Sequence, residues 1–427
     1  MACRGSGVQI PSAPLNIMKY LIQILKESKL LLASQVLIAI ILILQVSIVT
    51  KGLGLDQYGE LAILVTFISL IFRILHSKNN DVTLVALKTS HTSIFFQSFF
   101  FDVILGLIGT VILYIVFNLN FLNYFEDVSK LKYLTFFIAT KALLLTVETS
   151  KAHFTYFKKF NFLSLLEFLN IGIRFIIIYF VFSFNASLNY YFLANSIANL
   201  IIFICNIFLS YSYLNFTKIS FTTIKNYFSL IVNQYKKQRI DQIAGIFSQH
   251  FDILILGYFA DVSAVGLYRI AKRLVEPINF LINSLIPIIQ NKLLNNMKSH
   301  FNFNEFVKKF LMPTSFFIFM FLFLFGKNLL YLISGSDYVN AYSVLLTLLI
   351  GQLIYLNTFW IRITFLFNNL IEKHAISRGI NTIVFAILSF LLAPNFSAIG
   401  IAISISIAIF IQKLYEYLIY RKIIYNH

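Results

Sequence analysis

The feature that most constrains this chain is the length and continuity of its apolar stretches. A membrane-spanning helix needs about 20 mostly apolar residues, and about twelve such stretches follow one another here. They run Leu30–Thr50, Gly59–Leu75, Thr92–Phe117, Tyr133–Ser150, Phe162–Phe184, Leu188–Tyr213, Ile240–Phe259, Gly266–Gln290, Phe310–Ile333, Ala341–Phe367, Arg378–Ala393 and Ser397–Tyr420. They do not alternate polar with apolar, as the strands of an outer-membrane barrel must. Charged residues make up only 12% of the chain, about half the share a soluble protein uses to coat its surface. Most of the exterior must therefore face lipid. A soluble enzyme, a secreted disulfide scaffold and a disordered chain are excluded, and an all-α integral membrane protein is expected. Cys3 and Cys205 offer neither metal-ligand spacing nor a ready disulfide.

The net charge of +17, from 34 Lys and Arg against 17 Asp and Glu, would suggest nucleic acid in a soluble chain. In a multi-pass protein, basic cytoplasmic loops are the simpler cause, and no nucleic-acid partner is expected. With the amino terminus inside, the inner connections hold Lys78, Lys88, Lys151, Lys158, Lys159, Lys218, Lys225, Lys236, Lys237 and Arg239. They continue with Lys292, Lys298, Lys308, Lys309 and Lys373. The other side holds chiefly Lys51, Lys130, Lys132 and Lys327. That bias, roughly four to one, predicts both termini in the cytoplasm.

Residues 1–17 stand apart: they are rich in Pro and Gly and lack the apolar core of a signal peptide. They are expected to be a non-native or disordered leader, with Met18 as the start of the typical composition. The basic segment 214–239 divides the rest into residues 18–213, holding spans one to six, and residues 240–427, holding spans seven to twelve. The turn Gly52–Gly59 after span one resembles the turn Gly257–Gly266 after span seven. Six spans per half is an even number, so a genuine repeat would be parallel, giving two six-helix lobes around a central cleft. Coincidence between two glycine-containing turns is the alternative.

The stretches GLGLDQYGELAILVTFISL (Gly52–Leu70) and DILILGYFADVSAVGLYRIAKRLVEPINFLINSLIPI (Asp252–Ile288) resemble motifs of polysaccharide flippases of the O-antigen type. Phe325–Leu346 and Asn395–Ser404 resemble the carboxy-terminal landmarks of the same family. The likeness extends from Met18 to the end and rests on the order and spacing of loose motifs. It implies a twelve-helix, two-lobed fold of the multidrug/oligosaccharidyl-lipid/polysaccharide exporter superfamily. It implies also transport of polyprenyl-pyrophosphate-linked oligosaccharide across the bacterial inner membrane for surface polysaccharide synthesis. Its partners would be that lipid, membrane lipids and a glycan polymerase with other assembly proteins.

Charges inside spans cost about 2.5–3.5 kcal/mol each at a helix centre, so those that occur mark cavities or ion pairs. Arg269, Lys272, Arg273 and Glu276 lie at i, i+3, i+4 and i+7 on one face of span eight, and Pro277 follows. They can form an anion site for pyrophosphate; alternatively Lys272 pairs with Glu276 and Arg269 reaches the headgroups. Asp252 on span seven lies at the depth of Lys272 and Arg273, which predicts a salt bridge across that hairpin. In the first half, Glu167, Asn170 and Arg174 share a face of span five, and Lys141 and Glu148 are seven apart on span four. They make either two interhelical ion pairs or a basic pocket opposite span eight. Asp102 on span three is the lone acid of its helix, a candidate proton or sodium site or a hydrogen-bonded structural residue. Asp252, Glu276, Glu167 and Glu148 are further ion-coupling or charge-pair candidates.

No Walker A pattern, zinc set or hydrolase constellation is present in the sequence, so no cofactor and no enzymatic activity are expected, and transport would draw on an ion gradient. A multidrug/cation antiporter of the same superfamily is a second reading, ranked lower because its site should be acidic. An integral-membrane glycan polymerase or glycosyltransferase is a third, though the outer loops are too short for a catalytic domain.

Overall fold

The computed structural model describes residues 29–76, 83, 93–118, 132–157, 159–211, 245–247, 250–283, 285–286, 303–367 and 370–425. The leader 1–17 and the linker 214–239 lie outside the described residues, as do most of the basic loop positions. Every one of the twelve apolar stretches contains a helix, and no strand occurs among the described residues. Among the described residues seven helices are long and apolar enough to cross a membrane, and His250–Phe259 is a shorter apolar one.

The first half holds α1 (Lys29–Leu75), α2 (Ser93–Asn118), α3 (Leu134–Leu143), α4 (Thr146–Tyr156), α5 (Phe160–Phe184) and α6 (Leu188–Ser210). The second holds α7 (His250–Phe259), α8 (Val262–Val275), α9 (Met312–Ser334), α10 (Tyr342–Thr358), α11 (Trp360–Phe367) and α12 (Ile371–Tyr425). Two of these are bent rods, each covering two sequence-predicted spans. In α1, of 47 residues, the break is at Gly54, whose φ of 72° and ψ of 179° belong to a region essentially reserved for glycine. In α12, of 55 residues, it is at Ser397, three residues after Pro394, which cannot donate to the ladder.

Each half packs on itself. In the first, α6 lies against α5 and α3, α2 against α3, and α1 against α5; in the second, α10 lies against α12, α8 and α9. Small polar side chains join α6 to the α3–α4 line: Asn199 donates to Thr140 (3.4 Å), Asn206 to Thr146 (3.3 Å) and Ser210 to Ser150 (3.0 Å). These pairs let neighbouring backbones come close and satisfy groups that lipid cannot. The halves meet through α1, which packs against α8 and α9.

That meeting is built on glycine. A Cβ on Gly59 would collide with the carbonyl oxygen of Val262, and one on Gly266 would lie 2.6 Å from the carbonyl oxygen of Leu55. Each glycine thus faces the carbonyl four residues before the other, so the two turns contact each other reciprocally. Beside it, Ser47 donates to Ile333 O (2.6 Å), Lys51 to Leu332 O (2.8 Å) and Thr50 to Ser334 (3.1 Å). Tyr338 donates to Thr50 O (3.4 Å) and meets Tyr58 edge-on. Together these contacts close one end of the space between the halves.

Candidate functional site: a basic cleft between the halves

Below that seal lies a cleft of about 780 Å³, part of it open space. The first arm of α1 contributes Gln45, Val46 and Val49, and the second arm Tyr58, Ala62 and Val65. Opposite them stand Arg269 and Arg273 of α8, then Glu276, Pro277 and Phe280 beyond its end, with Tyr191 of α6 at the side. The walls are apolar and the polar groups few and convergent, as in sites that orient a ligand.

Arg273 donates through Nη1 to Glu276 Oε2 at 2.6 Å. Arg269 makes no ion pair among the described residues, so α8 brings to the cleft one guanidinium in direct contact with a carboxylate and one without such contact. Arg174 of α5 donates to Asn170 (3.2 Å) and to Asn199 (3.1 Å), and its buried Nε has no partner among the described residues. Lys141 of α3 donates to Ser69 (2.6 Å) and lies 5.4 Å from the Phe137 ring. The charge of Arg273 bears on Arg174, and those of Arg174, Arg73 and Arg269 bear on Lys141. Arg269 and Arg273 line the cleft, while Arg174, Lys141 and Arg73 of the first half lie outside its lining and are coupled to them through a joint field that low dielectric strengthens. Nothing in the sequence singles out Arg73, in the last turn of α1, or Tyr58, because helix-end Arg and Tyr are ordinary in membrane proteins.

Lys272 is the member of the α8 stripe that leaves the cleft. It donates to Asp252 Oδ2 (2.5 Å), and the fully buried carboxylate also accepts from Tyr268 (2.6 Å) and Ile253 N (2.9 Å). The salt bridge across the α7–α8 hairpin is thus present, made by Lys272 and not by Arg273. The i,i+4 pair Lys272–Glu276 is not formed; the cause is Asp252, which draws Lys272 inward and leaves Glu276 to Arg273.

The two interhelical ion pairs considered for Lys141 and Arg174 are not formed either. At Leu144 and Leu145 the chain stays helical but tightens to i→i+3 hydrogen bonds between α3 and α4, so Lys141 and Glu148 are not joined by a regular α-helix. Glu148 and Glu167 share Lys151 instead, at 3.3 and 3.8 Å, and Glu167 also accepts from Gln35 (3.2 Å). Asp102 is not solitary: fully buried, it meets His76 Nε2 at 2.7 Å and accepts from Thr149 at 2.5 Å.

A second buried cluster was not foreseen. Glu416, wholly inside the second half, accepts from Ser377 (2.6 Å), Gln412 (3.0 Å) and Lys413 (2.6 Å) and meets His374 Nδ1 at 3.0 Å. Lys413 and Glu416 are three apart, a spacing visible in the sequence. His374 and Ser377 reach them only because α12 folds back at Ser397. The cluster is internally paired and lies away from the cleft-lining residues.

No protein-family model matches the chain, and no curated protein sequence matches it. Solved structures do. The chain is similar to the lipid II flippase MurJ in an inward closed conformation, with a TM-score of 0.73 at 16% identity over 92% of this chain and 88% of that one. It is similar to a multidrug resistance MATE family transporter of the MOP superfamily in an inward-facing conformation, with a TM-score of 0.71 at 14% identity over 92% and 98%. A MOP superfamily transporter from Pyrococcus furiosus, described as having a binding pocket of reverse polarity that suggests a different function, gives 0.64 at 15% over 92% and 95%. The chain therefore has the all-α fold of MOP superfamily transporters, with two helical lobes around a central cleft. Its cleft is lined by two arginines and one glutamate.

Proposed function

We propose that this protein is a flippase that moves polyprenyl-pyrophosphate-linked oligosaccharide across the bacterial inner membrane by alternating access. The observation that carries the reading is the sign of the cleft. Arg269 and Arg273 line it, Glu276 is the only acid among its described lining residues, and Arg174 and Lys141 lie outside the lining but close enough for their charges to be coupled to those arginines. Guanidinium groups match phosphate oxygens with paired donors, and Lys supplies a point charge. A cationic drug would meet repulsion in the same place, which places the antiporter reading second.

In this reading residues 18–213 and 240–427 are the two lobes and 214–239 the link between them. The termini are cytoplasmic and the glycine seal faces outward, so the cleft accepts the headgroup from the inner side while the lipid tail stays in the bilayer. Ion-gradient coupling supplies the drive, since no nucleotide motif is present. Asp102 and Asp252, both buried, are the acids we assign to that coupling. A glycan polymerase would receive the translocated unit outside.

The test is complementation of a strain that assembles but cannot export the glycan. Arg273→Ala and Arg174→Ala, expressed at wild-type level, should abolish export and leave the lipid-linked unit on the inner leaflet. Normal export by both variants would sink the proposal.

A further inference from the structure

We propose that Glu276 is the resident counter-anion of the cleft: it holds Arg273 until a phosphate-bearing lipid headgroup takes its place, and it reclaims Arg273 to expel that headgroup. This rests on the reading of the cleft as a pyrophosphate-headgroup site.

Four observations carry it. Glu276 lines the cleft and its carboxylate lies 2.6 Å from Arg273, with side-chain exposures of 28% and 34% that leave the pair reachable from the space between the lobes. Its backbone is anchored at the break that ends α8, since Glu276 N donates to Lys272 O (3.0 Å) and Asn279 N to Glu276 O (2.8 Å), with Pro277 between. The side chain therefore returns to the same place whenever it is displaced.

Among the described residues Arg273 pairs with no other acid. Asp252, the acid across the hairpin, is occupied by Lys272, Tyr268 and a backbone N–H. The one-acid, two-arginine arrangement is also unequal in a useful way. Arg269 has no ion pair among the described residues and can meet the phosphate first. Arg273 has four further N–H donors beyond the one given to Glu276, so a phosphate can begin to bind before the carboxylate lets go. Exchange then proceeds stepwise, and Arg273 keeps an anion on its guanidinium throughout in a low-dielectric space, where losing a partner is costly. A headgroup site built from cations alone would hold its phosphate too well to release it. A carboxylate on the same guanidinium sets the affinity at a level that permits turnover.

The experiment compares the full-length protein in lipid nanodiscs with its Glu276→Gln variant. Two quantities are read: equilibrium binding of farnesyl pyrophosphate, and transport of the lipid-linked glycan in the export-deficient strain. Glu276→Gln should bind the probe on the order of tenfold more tightly, the range of a charge-assisted hydrogen bond no longer competed for, and should export more slowly. Glu276→Asp should restore wild-type behaviour in part. Should the glutamine variant fold poorly by thermal shift, Glu276→Asp and Glu276→Ala carry the comparison.

Unchanged or weaker binding by folded charge-removing variants, while wild type still binds in an Arg273-dependent manner, overturns the counter-anion role and leaves the flippase reading intact. A gain in affinity that persists undiminished in an Arg273→Ala background indicates simple charge repulsion and also overturns the exchange. Failure of wild type to bind the probe removes both readings together.

Discussion

A single methyl group at the glycine seal should shift the balance between the two faces of the protein. Gly266 lies inside α8, where alanine is otherwise the better helix former by about 1 kcal/mol. Its Cβ, however, would lie 2.6 Å from the carbonyl oxygen of Leu55. To reach an ordinary 3.4 Å contact the two backbones must part by about 0.8 Å. The obstacle is main chain on a packed helix and cannot turn aside as a flexible side chain would. Overpacking of this kind costs about 1–3 kcal/mol, which changes the ratio of sealed to unsealed molecules by roughly 5- to 140-fold. Gly59→Ala should act in the same direction, since its Cβ would meet the oxygen of Val262.

The assay is pulsed electron–electron resonance between spin labels at the exposed positions Gln57 and Asp337, in a background without native cysteines. Both glycine variants should move the distance distribution outward. A reagent confined to the outer side should label a cysteine at Val65 more quickly than in the parent. Coincident distributions and labelling rates for parent, Gly59→Ala and Gly266→Ala would refute the argument, because the extra atoms would then be accommodated without parting the lobes.

Other consequences concern the buried charges. Asp252→Ala strands Lys272 inside the second half and should lower unfolding stability by about 3–5 kcal/mol; thermal shift measures this, and Asp252→Leu with Lys272→Met should recover most of the loss. Glu416→Leu should be as damaging because Lys413, only 3% exposed, loses its partner. The Lys413→Met/Glu416→Leu double variant should approach wild-type stability, and a double-mutant cycle quantifies the coupling. Lys151→Ala, at a half-exposed pair, should cost less than about 1 kcal/mol, and a large drop in melting temperature would contradict its peripheral role. Thr149→Val removes one donor from buried Asp102 and should cost about 1–3 kcal/mol, read by the same thermal shift.

How much was legible in advance differs by residue. The stripe on α8 was readable because three of its charges fall within five positions, and helical periodicity alone puts such neighbours on one face. The Asp252 salt bridge followed from helix rise and a short turn. Lys141 and Glu148 misled because their spacing assumes a regular α-helix, and Leu144–Leu145 carries no proline or glycine to announce that the turn there tightens. The Glu416 cluster was hidden by sequence distance, since His374 and Glu416 meet only across the fold in α12. The resemblance of the two glycine turns was visible, but not that each turn is the other's partner.

The apolar runs were enough to settle that the chain is a helical membrane protein, because in hydrocarbon every backbone polar group must be satisfied within its own segment, and only length and apolarity matter. Which cations share a space was a different kind of question. Arg174 and Arg273 are 99 positions apart in the chain, and no local rule relates them. They share one field because α1 packs against α5 and α8 alike, and glycines at Gly59 and Gly266 let the lobes close above the gap. Local chemistry made the helices; the contact of two backbones placed the charge.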